Sequence, residues 1–445
     1  MTIITSPIPN KPAGCKNVKL LALPPLSTVK VAFVGLGHRG MQALQRWCYI
    51  PHVEIVAVCD VATSAVEKAA RLLKEEGKAM PSVYQGQEAY EQLCRESDAH
   101  LIYICTDWHT HVPIVLAALS HEKNVAVEVP AAMTLSEIWQ IVDAAERVQR
   151  HCMMLENSVY DHVELATLEM VRQGLLGEVV HVGGGYAHAL GERWTPWRIA
   201  YNKDCRGDLY PTHGIGPICR ILDIHRSDRM QTLVAMDTAA FTGPQVYQQV
   251  MGQECADFSN GDQTSILIRT EKGKTIQLQH NVMTPRPYSR MFEVVGTKGY
   301  LSKYPIVQLY LKDHLSISNE HPFSHQKPLN GEQKQAIGYQ DRLNGEEDRL
   351  NCHANESESL PNSAQIVEQY LPSYVSELQS LAAQLDNRGG MSYFMDYRLA
   401  MALHHGKPLD MDVYDLAEWC SITELSRISI ENGSMPVAIP NFIRE

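Results

Sequence analysis

Three glycines and one acid carry the clearest chemical message in this chain. Val31-Ala-Phe-Val-Gly-Leu-Gly-His-Arg-Gly40 runs an apolar strand into a G-x-G-x-x-G turn. A second strand, Glu54-Ile-Val-Ala-Val-Cys-Asp60, ends in a carboxylate about 20 residues further on, where a dinucleotide site places the acid that holds a ribose. Gly35 permits the tight turn, Gly37 lets backbone approach a pyrophosphate, and Gly40 lets the following helix pack against the strand. The helix N-terminus adds free N–H groups and the positive end of its dipole for the phosphates. Asp60 favours NAD over NADP, because a carboxylate repels a 2′-phosphate.

Further polar clusters follow later strands. Cys105-Thr-Asp-Trp-His-Thr-His111 closes one, and Glu128-Val-Pro130 closes the next. Ligands in open α/β sheets sit at the carboxyl ends of strands, so Trp108, His109 and His111 are expected to touch the cofactor. Capping the loop and the next helix is the plainer role. The i, i+2 spacing of His109 and His111, with no nearby carboxylate pair, does not suit a metal. Asn157, after Met153-Met-Leu-Glu, could hydrogen-bond the nicotinamide or its ribose, or simply make a turn. Two stretches, Trp194-Thr-Pro-Trp-Arg-Ile-Ala-Tyr201 and Arg206-Gly-Asp-Leu-Tyr-Pro-Thr-His-Gly-Ile-Gly216, concentrate Trp, Arg, Tyr and His in what reads as loop. Aromatic faces, a fixed guanidinium and hydroxyl donors suit a neutral polyol such as a sugar, although Arg/aromatic packing clusters are common. His213, between Pro211 and Gly214 in what reads as a rigid turn, is the candidate for proton transfer, because histidine is the residue type that ordinarily titrates near neutral pH. Tyr186, ending Gly183-Gly-Gly-Tyr186, and Tyr288, in Pro285-Arg-Pro-Tyr-Ser-Arg290, could reach the same pocket or lie on the surface.

These groups need a scaffold, and the chain is long enough for two or three domains at 445 residues. Its 44% hydrophobic and 20% charged content is ordinary for a soluble globular protein. A net charge of −12 argues against nucleic acid and anionic membrane as partners. No run is long and apolar enough to span a bilayer. Eleven cysteines without C-x-x-C spacing read as reduced thiols, and no basic-then-apolar leader is visible, so a cytoplasmic location is the expectation. Residues 1–27 are Pro-rich and read as an extended arm. From 28 to 150 strands and helices alternate: strands at 29–34, 53–59, 100–105 and 123–128, helices at 40–48, 63–76 and 110–120, and one from Thr134-Leu-Ser-Glu137, which has capping-box spacing. That alternation predicts a parallel, doubly wound Rossmann sheet. Over 151–445 the expectation is a second α/β domain. It has a helix at 162–173, then strands at Glu178–Tyr186, Gln231–Thr238, Thr264–Arg269, Thr275–His280 and Phe292–Gly296 forming an open, mostly antiparallel sheet. A polar loop is expected at about 314–362, and helices at about 365–386 and 412–431.

With these motifs on the page the chain resembles glycoside hydrolase family 109, within the larger glucose–fructose oxidoreductase-like (Gfo/Idh/MocA) superfamily. The resemblance rests on the glycine turn, Thr106-Asp-Trp-His-Thr-His111, Ala126-Val-Glu-Val-Pro-Ala-Ala-Met133, His151-Cys-Met-Met-Leu-Glu-Asn157 and Leu209-Tyr-Pro-Thr-His-Gly-Ile-Gly216. It runs from about residue 28 to the C-terminus. The family includes bacterial NAD-dependent α-N-acetylgalactosaminidases. The resemblance implies tightly held NAD, with contacts at His38, Arg39, Asp60, Trp108, His109, Thr110, His111, Glu128, Val129 and Asn157. It implies sugar contacts at Tyr186, Arg198, Tyr210, Pro211, Thr212, His213 and Tyr288, with His213 moving a proton and Tyr186 or Tyr210 assisting. The implied chemistry is transient oxidation at C3 of a terminal α-linked N-acetylgalactosamine, elimination across C2–C1, addition of water and re-reduction, with retention and no metal. A homo-oligomer is compatible with the superfamily's open sheet. Two departures stand out. Superfamily dehydrogenases typically carry Lys where this chain has Val129, and often an acid where it has Leu209. Both weaken the competing assignment as a sugar or inositol dehydrogenase. A non-catalytic NAD- and sugar-binding sensor is the other competitor.

Overall fold

The first sheet is built from six short strands, apolar and buried on both faces at its centre. In the computed structural model, which describes residues 2–312, 360, 362–386 and 388–444, these are β1 Val29–Val34, β2 Val53–Asp60, β3 Ser82–Gln85, β4 Leu101–Ile104, β5 Asn124–Val127 and β6 Cys152–Met154. They pair in the order β3-β2-β1-β4-β5-β6, and every pair is parallel. β4 and β5 have no exposed residue, as expected for strands covered on both sides by helices. The intervening helices are α1 His38–Trp47, α2 Thr63–Glu75, α3 Ala89–Glu96, α4 Trp108–Ser120 and α5 Leu135–Val148. α5 starts with the expected capping box, Thr134 and Glu137 exchanging side-chain and backbone hydrogen bonds. β3 and α3 are not evident in the sequence because β3 is an exposed edge strand with no apolar alternation. The sheet also runs past residue 150, since β6 continues it to Met154.

After a single 3-10 turn, Asn157–Tyr160, the chain continues through α6 His162–Arg172, β7 Val179–Ala187, α7 Pro196–Asp204, α8 Thr212–Leu222, β8 Met230–Asp237, α9 Gly243–Met251, β9 Thr264–Thr270, β10 Thr275–Asn281, β11 Glu293–Gly296, β12 Gly299–Ser302 and β13 Gln308–Leu311. It ends with α10 Ser363–Glu368, α11 Ser373–Leu385, α12 Met391–His405, α13 Val413–Glu431 and β14 Val437–Ala438. The second sheet has the order β13-β12-β11-β7-β10-β9-β8-β14. All neighbours are antiparallel except β7 and β10. β9 alternates strictly between buried and exposed residues, the mark of a sheet with one packed and one solvated face.

Two expectations need correction. Trp194–Gly216 is loop only in part: Pro196 starts α7, the chain is irregular from Cys205 to Pro211, and α8 begins at Thr212, so His213 sits in the first turn of a helix rather than in a rigid turn. The segment at 365–386 is two helices, because Pro372 ends one path and starts the next. Of the polar stretch at 314–362, nearly all lies outside the described residues. The residues ahead of β1 cross the C-terminal part of the chain: Ile4 bridges Val437, Lys11 donates to the Arg444 carbonyl, and the Val18 N–H donates to the Tyr414 hydroxyl.

The turn that follows α8 is fixed to the start of α13 by charge. His225 has its Nδ1 3.1 Å from Glu418 Oε2 and its Nε2 3.3 Å from Asp412 Oδ1. Arg226 pairs with Asp415 at 2.8 Å beside it. Burial works against a charged imidazole here, but Asp415, Asp412 and Glu418 outweigh it and pull the His225 pKa up to about 10. A folded-state value above the ordinary 6.5 means that this contribution is complete below about pH 6.5 and is lost as pH rises through about 10. Thermal unfolding should therefore show a melting temperature that declines from pH 7 to 10 in the native sequence. His225→Gln should be less stable at pH 6.5 and should lack that decline; parallel declines in both proteins would contradict the assignment.

Candidate active site

The glycine turn sits where the carboxyl ends of β1 and β4 meet. Gly35 adopts a φ of +91°, and a side chain there would strike the Cys105 backbone. A side chain at Gly40 would run into the Gly35 carbonyl, so α1 can approach the strand only without one. At Gly37, by contrast, a Cβ would meet nothing within 4 Å. Its backbone faces open space, which is what close approach by a pyrophosphate requires. Asp60 ends β2 and accepts from Leu36 N at 2.6 Å and Ala62 N at 2.8 Å. It therefore braces the glycine turn, and a carboxylate with about four lone-pair sites still has room for a ribose hydroxyl. Among the described residues Arg39 has no acidic partner, and it lines one cavity with Glu128, Val129, Asn157 and His213. These residues fit NAD.

His213 is brought to that cavity by backbone contact. A Cβ at Gly184 would lie 2.6 Å from the Gly214 carbonyl oxygen, and one at Gly214 would lie 2.5 Å from Gly185 N. Only glycine on both sides lets α8 settle onto β7. Next to it, Glu156 follows β6 and is fully buried. Its Oε1 lies 2.8 Å from His213 Nδ1 and accepts from Ser158 N at 3.1 Å. The Ser158 hydroxyl lies 2.6 Å from the same oxygen and 3.2 Å from the His213 carbonyl. That carbonyl needs an outside donor, because the residue that would reach back to it along the helix is Pro217, which has no N–H. Burial alone would raise the Glu156 pKa. The His213 charge and the hydrogen bonds from His213 and Ser158 override it and hold the carboxyl down at about 2. An ionised carboxylate only accepts, so His213 Nδ1 carries a proton, and in the neutral ring Nε2 is left with a lone pair. With Nδ1 so held by Glu156, Nε2 lies on the side of the ring away from the carboxylate.

Aromatic side chains wall the space in front of it. The Tyr186 ring centroid is 4.7 Å from His213 and 5.4 Å from Tyr210, with Tyr288 at 6.4 Å. Trp108, from the first turn of α4, packs edge-on against Trp197, Tyr201 and Tyr210 at 5.1–5.3 Å. The first sheet thereby meets α7 and the approach to α8. Burial pushes the Tyr186 and Tyr210 phenols up, with the Arg198 guanidinium opposing it at Tyr210, so both stay protonated donors at neutral pH.

The expected residues separate into groups. Tyr186, Tyr210, His213 and Tyr288 come together, and Arg39, Glu128, Val129 and Asn157 share the adjoining cavity. Pro211 and Thr212 are buried at the start of α8, Thr212 beside Glu156. His38 and His109 are exposed, and Thr110 bonds Asp107, the cap of α4. Arg198 stacks on Trp197 and donates to the Arg193 carbonyl at 2.9 Å. The His111 side chain is the correction. Its Nδ1 lies 2.8 Å from the Pro130 carbonyl and its Nε2 3.1 Å from that of Thr106. With 1% exposure it is packed between two strand-end loops, and because burial lowers its pKa the neutral ring donates to only one of these carbonyls. Glu156 was missed, although a charged residue ending a buried strand directly before Asn157 is a signal the sequence does carry. Asp208 and His280 were also missed. Asp208 accepts from Tyr210 N at 2.9 Å and is pushed up to about 7 by burial, while burial takes the neighbouring His280 down to about 3.

Comparison with known proteins places the two halves. Residues 160–445 match the model of the glycosyl hydrolase 109 C-terminal domain, and residues 29–156 match the oxidoreductase family with an NAD-binding Rossmann fold. "Glycosyl hydrolase family 109 protein 1" of Phocaeicola vulgatus is 46% identical over 447 residues, covering 98% of this chain and 89% of that one. The protein of the same name from Bacteroides thetaiotaomicron is 48% identical over 441 residues, with the same coverage. Among solved structures, a levoglucosan dehydrogenase in complex with NADH and L-sorbose superposes with a TM-score of 0.66 at 15% identity, covering 93% of this chain and all of that one. A myo-inositol dehydrogenase from Lactobacillus casei in complex with NAD(H) and myo-inositol gives 0.58 at 18%, covering 94% of this chain and all of that one. These two show the shared fold. The chain, with an NAD-binding Rossmann half and a catalytic-family C-terminal half, belongs to glycosyl hydrolase family 109.

Proposed function

We propose that this family 109 glycosidase removes terminal α-linked N-acetylgalactosamine through an oxidation–elimination–addition–reduction sequence that retains the anomeric configuration. The observation that carries the reading is the Glu156–His213 pair opening onto the same cavity as Arg39, Glu128 and Asn157. Bound NAD supplies reversible acceptance of hydride at C3 of the sugar. The rest of the work falls to side chains. With a C3 ketone present, the C2 proton is acidic enough for an imidazole, and His213 Nε2 is the base that Glu156 aims. The same nitrogen returns a proton during addition of water. Glu156 keeps the ring in the productive tautomer and stabilises its charged form. Tyr186 and Tyr210 remain phenols and can donate to sugar oxygens, while Arg198 and Tyr288 orient the ring. Val129, where Lys would assist alcohol oxidation in a net dehydrogenase, lines the cavity as an apolar side chain.

Hydrolysis of an aryl α-N-acetylgalactosaminide in deuterated water should place deuterium at C2 of the product without accumulation of NADH. Product lacking deuterium at C2 would exclude elimination. His213→Ala should lower kcat by roughly 10²–10⁴. Glu156→Gln should cause a loss of similar order, about 10⁴ at most, because a side-chain amide can donate to Nδ1 and select the wrong tautomer. Both variants should still retain NAD. Full activity in either would remove the pair from the chemistry.

A further inference from the structure

The cofactor cavity has a wall from the C-terminal half of the chain. Ser392 and Met395, from the first two turns of α12, line the same cavity as Arg39, Glu128, Asn157 and His213. Helical spacing puts Ser392, Met395 and Asp396 on one face, and that face is turned to the nucleotide-binding half. Asp396 is fully buried there, 2.7 Å from Arg46 Nε of α1 and 2.8 Å from the Tyr103 hydroxyl of β4. One turn earlier the Ser392 N–H donates to Asp386 Oδ2 at 2.8 Å, while Asp386 Oδ1 accepts from Arg388 N at 3.1 Å. The first turns of α12 are therefore fixed on two sides. The Ser392 hydroxyl oxygen, itself buried, accepts from Asn157 Nδ2 at 2.9 Å, across 235 positions of sequence. Among the described residues, Asn157 Oδ1 and the Ser392 hydroxyl proton have no partner.

We propose that Ser392 and Asn157 together hold the carboxamide of the nicotinamide ring, Ser392 being the residue that sets the Asn157 amide. A side-chain amide is nearly symmetric in shape but offers an acceptor at one end and donors at the other. With Nδ2 committed to Ser392, Oδ1 is the end left for the cavity. The serine hydroxyl, having accepted, keeps its own proton to donate. The pair thus presents one acceptor beside one donor, and both would be costly to leave unmatched in a closed site. A primary carboxamide carries the complement, an N–H donor beside a carbonyl acceptor. Asp60 and the glycine turn serve the adenosine ribose and the pyrophosphate, so the cavity beyond Arg39 receives the nicotinamide end. That ring can turn about its bond to ribose. A hold on its carboxamide decides which ring face is turned to the substrate space.

The inference rests on NAD binding and not on the sugar chemistry, so loss of the glycosidase reading would leave it standing. Calorimetric titration of the full chain freed of dinucleotide tests it with two probes. Ser392→Ala should weaken binding of NAD⁺ about tenfold and leave binding of ADP-ribose, which lacks the nicotinamide, unchanged. Equal weakening of both probes would mean that Ser392 only places α12, and would overturn the proposal. Unchanged binding of NAD⁺ would overturn it as well. If Ser392→Ala does not fold, the native chain serves with the NAD⁺ analogue that carries an acetyl group in place of the carboxamide. That analogue keeps the carbonyl but loses the N–H donors, and should bind about tenfold more weakly than NAD⁺. Equal binding of the two would overturn the proposal.

Discussion

The seat of α8 on β7 is the constraint on which the active site depends. Gly184 and Gly185 on the strand and Gly214 on the helix touch backbone to backbone, closer than any side chain would allow. Gly216, one residue beyond Ile215, repeats the arrangement on another side, where a Cβ would lie 3.0 Å from Glu156 and 3.2 Å from Trp419. Glycine inside a helix costs about 1 kcal/mol relative to alanine, and this helix contains two glycines as well as Pro217. Tertiary contact offsets that weakness. What the contact secures is the position of His213 relative to a carboxylate from the other sheet.

That cross-sheet pairing explains the site's electrostatics. Glu156 is delivered by a strand of the parallel sheet, and His213 by a helix lying on the mixed sheet. A fully buried carboxylate is unfavourable unless charged and hydrogen-bonding partners surround it. Here an imidazole, a backbone N–H and a hydroxyl converge on one oxygen. Ser158 joins both parts, since it reaches the carboxylate and also the carbonyl that Pro217 leaves unpaired. The helix irregularity and the acid–base pair are thus one arrangement. Arg39, from the glycine turn, lines the same cavity as His213, so the proposed proton handling and dinucleotide binding would share one space.

Much of the first sheet was legible because its signals are local. An apolar strand, three glycines at fixed spacing and Asp60 at the end of the next strand need no tertiary information. The capping box of Thr134 with Glu137 was similarly readable. The misread parts have identifiable causes. α7 resembled loop because Trp, Arg, Tyr and Asn displace the apolar 3.6-residue period, and α8 because Gly214, Gly216 and Pro217 interrupt its first turns. β12 and β13, only four residues each, and α12, whose apolar residues do not favour one face, carry no comparable pattern. His111 was read from its place after β4, but only the fold shows it in the first turn of α4 with its ring nitrogens facing the Pro130 and Thr106 carbonyls. Glu156 lies 57 positions from His213, and their pairing is a property of the junction.

The central claim is that sugar cleavage here depends on a resident dinucleotide set beside an oriented imidazole. The most direct measurement compares aryl α-N-acetylgalactosaminide cleavage by the protein as purified, by the same protein freed of dinucleotide, and by that protein after NAD⁺ is restored. Loss of cleavage on removal and its return with NAD⁺ are expected. Undiminished cleavage by the dinucleotide-free protein would contradict the claim.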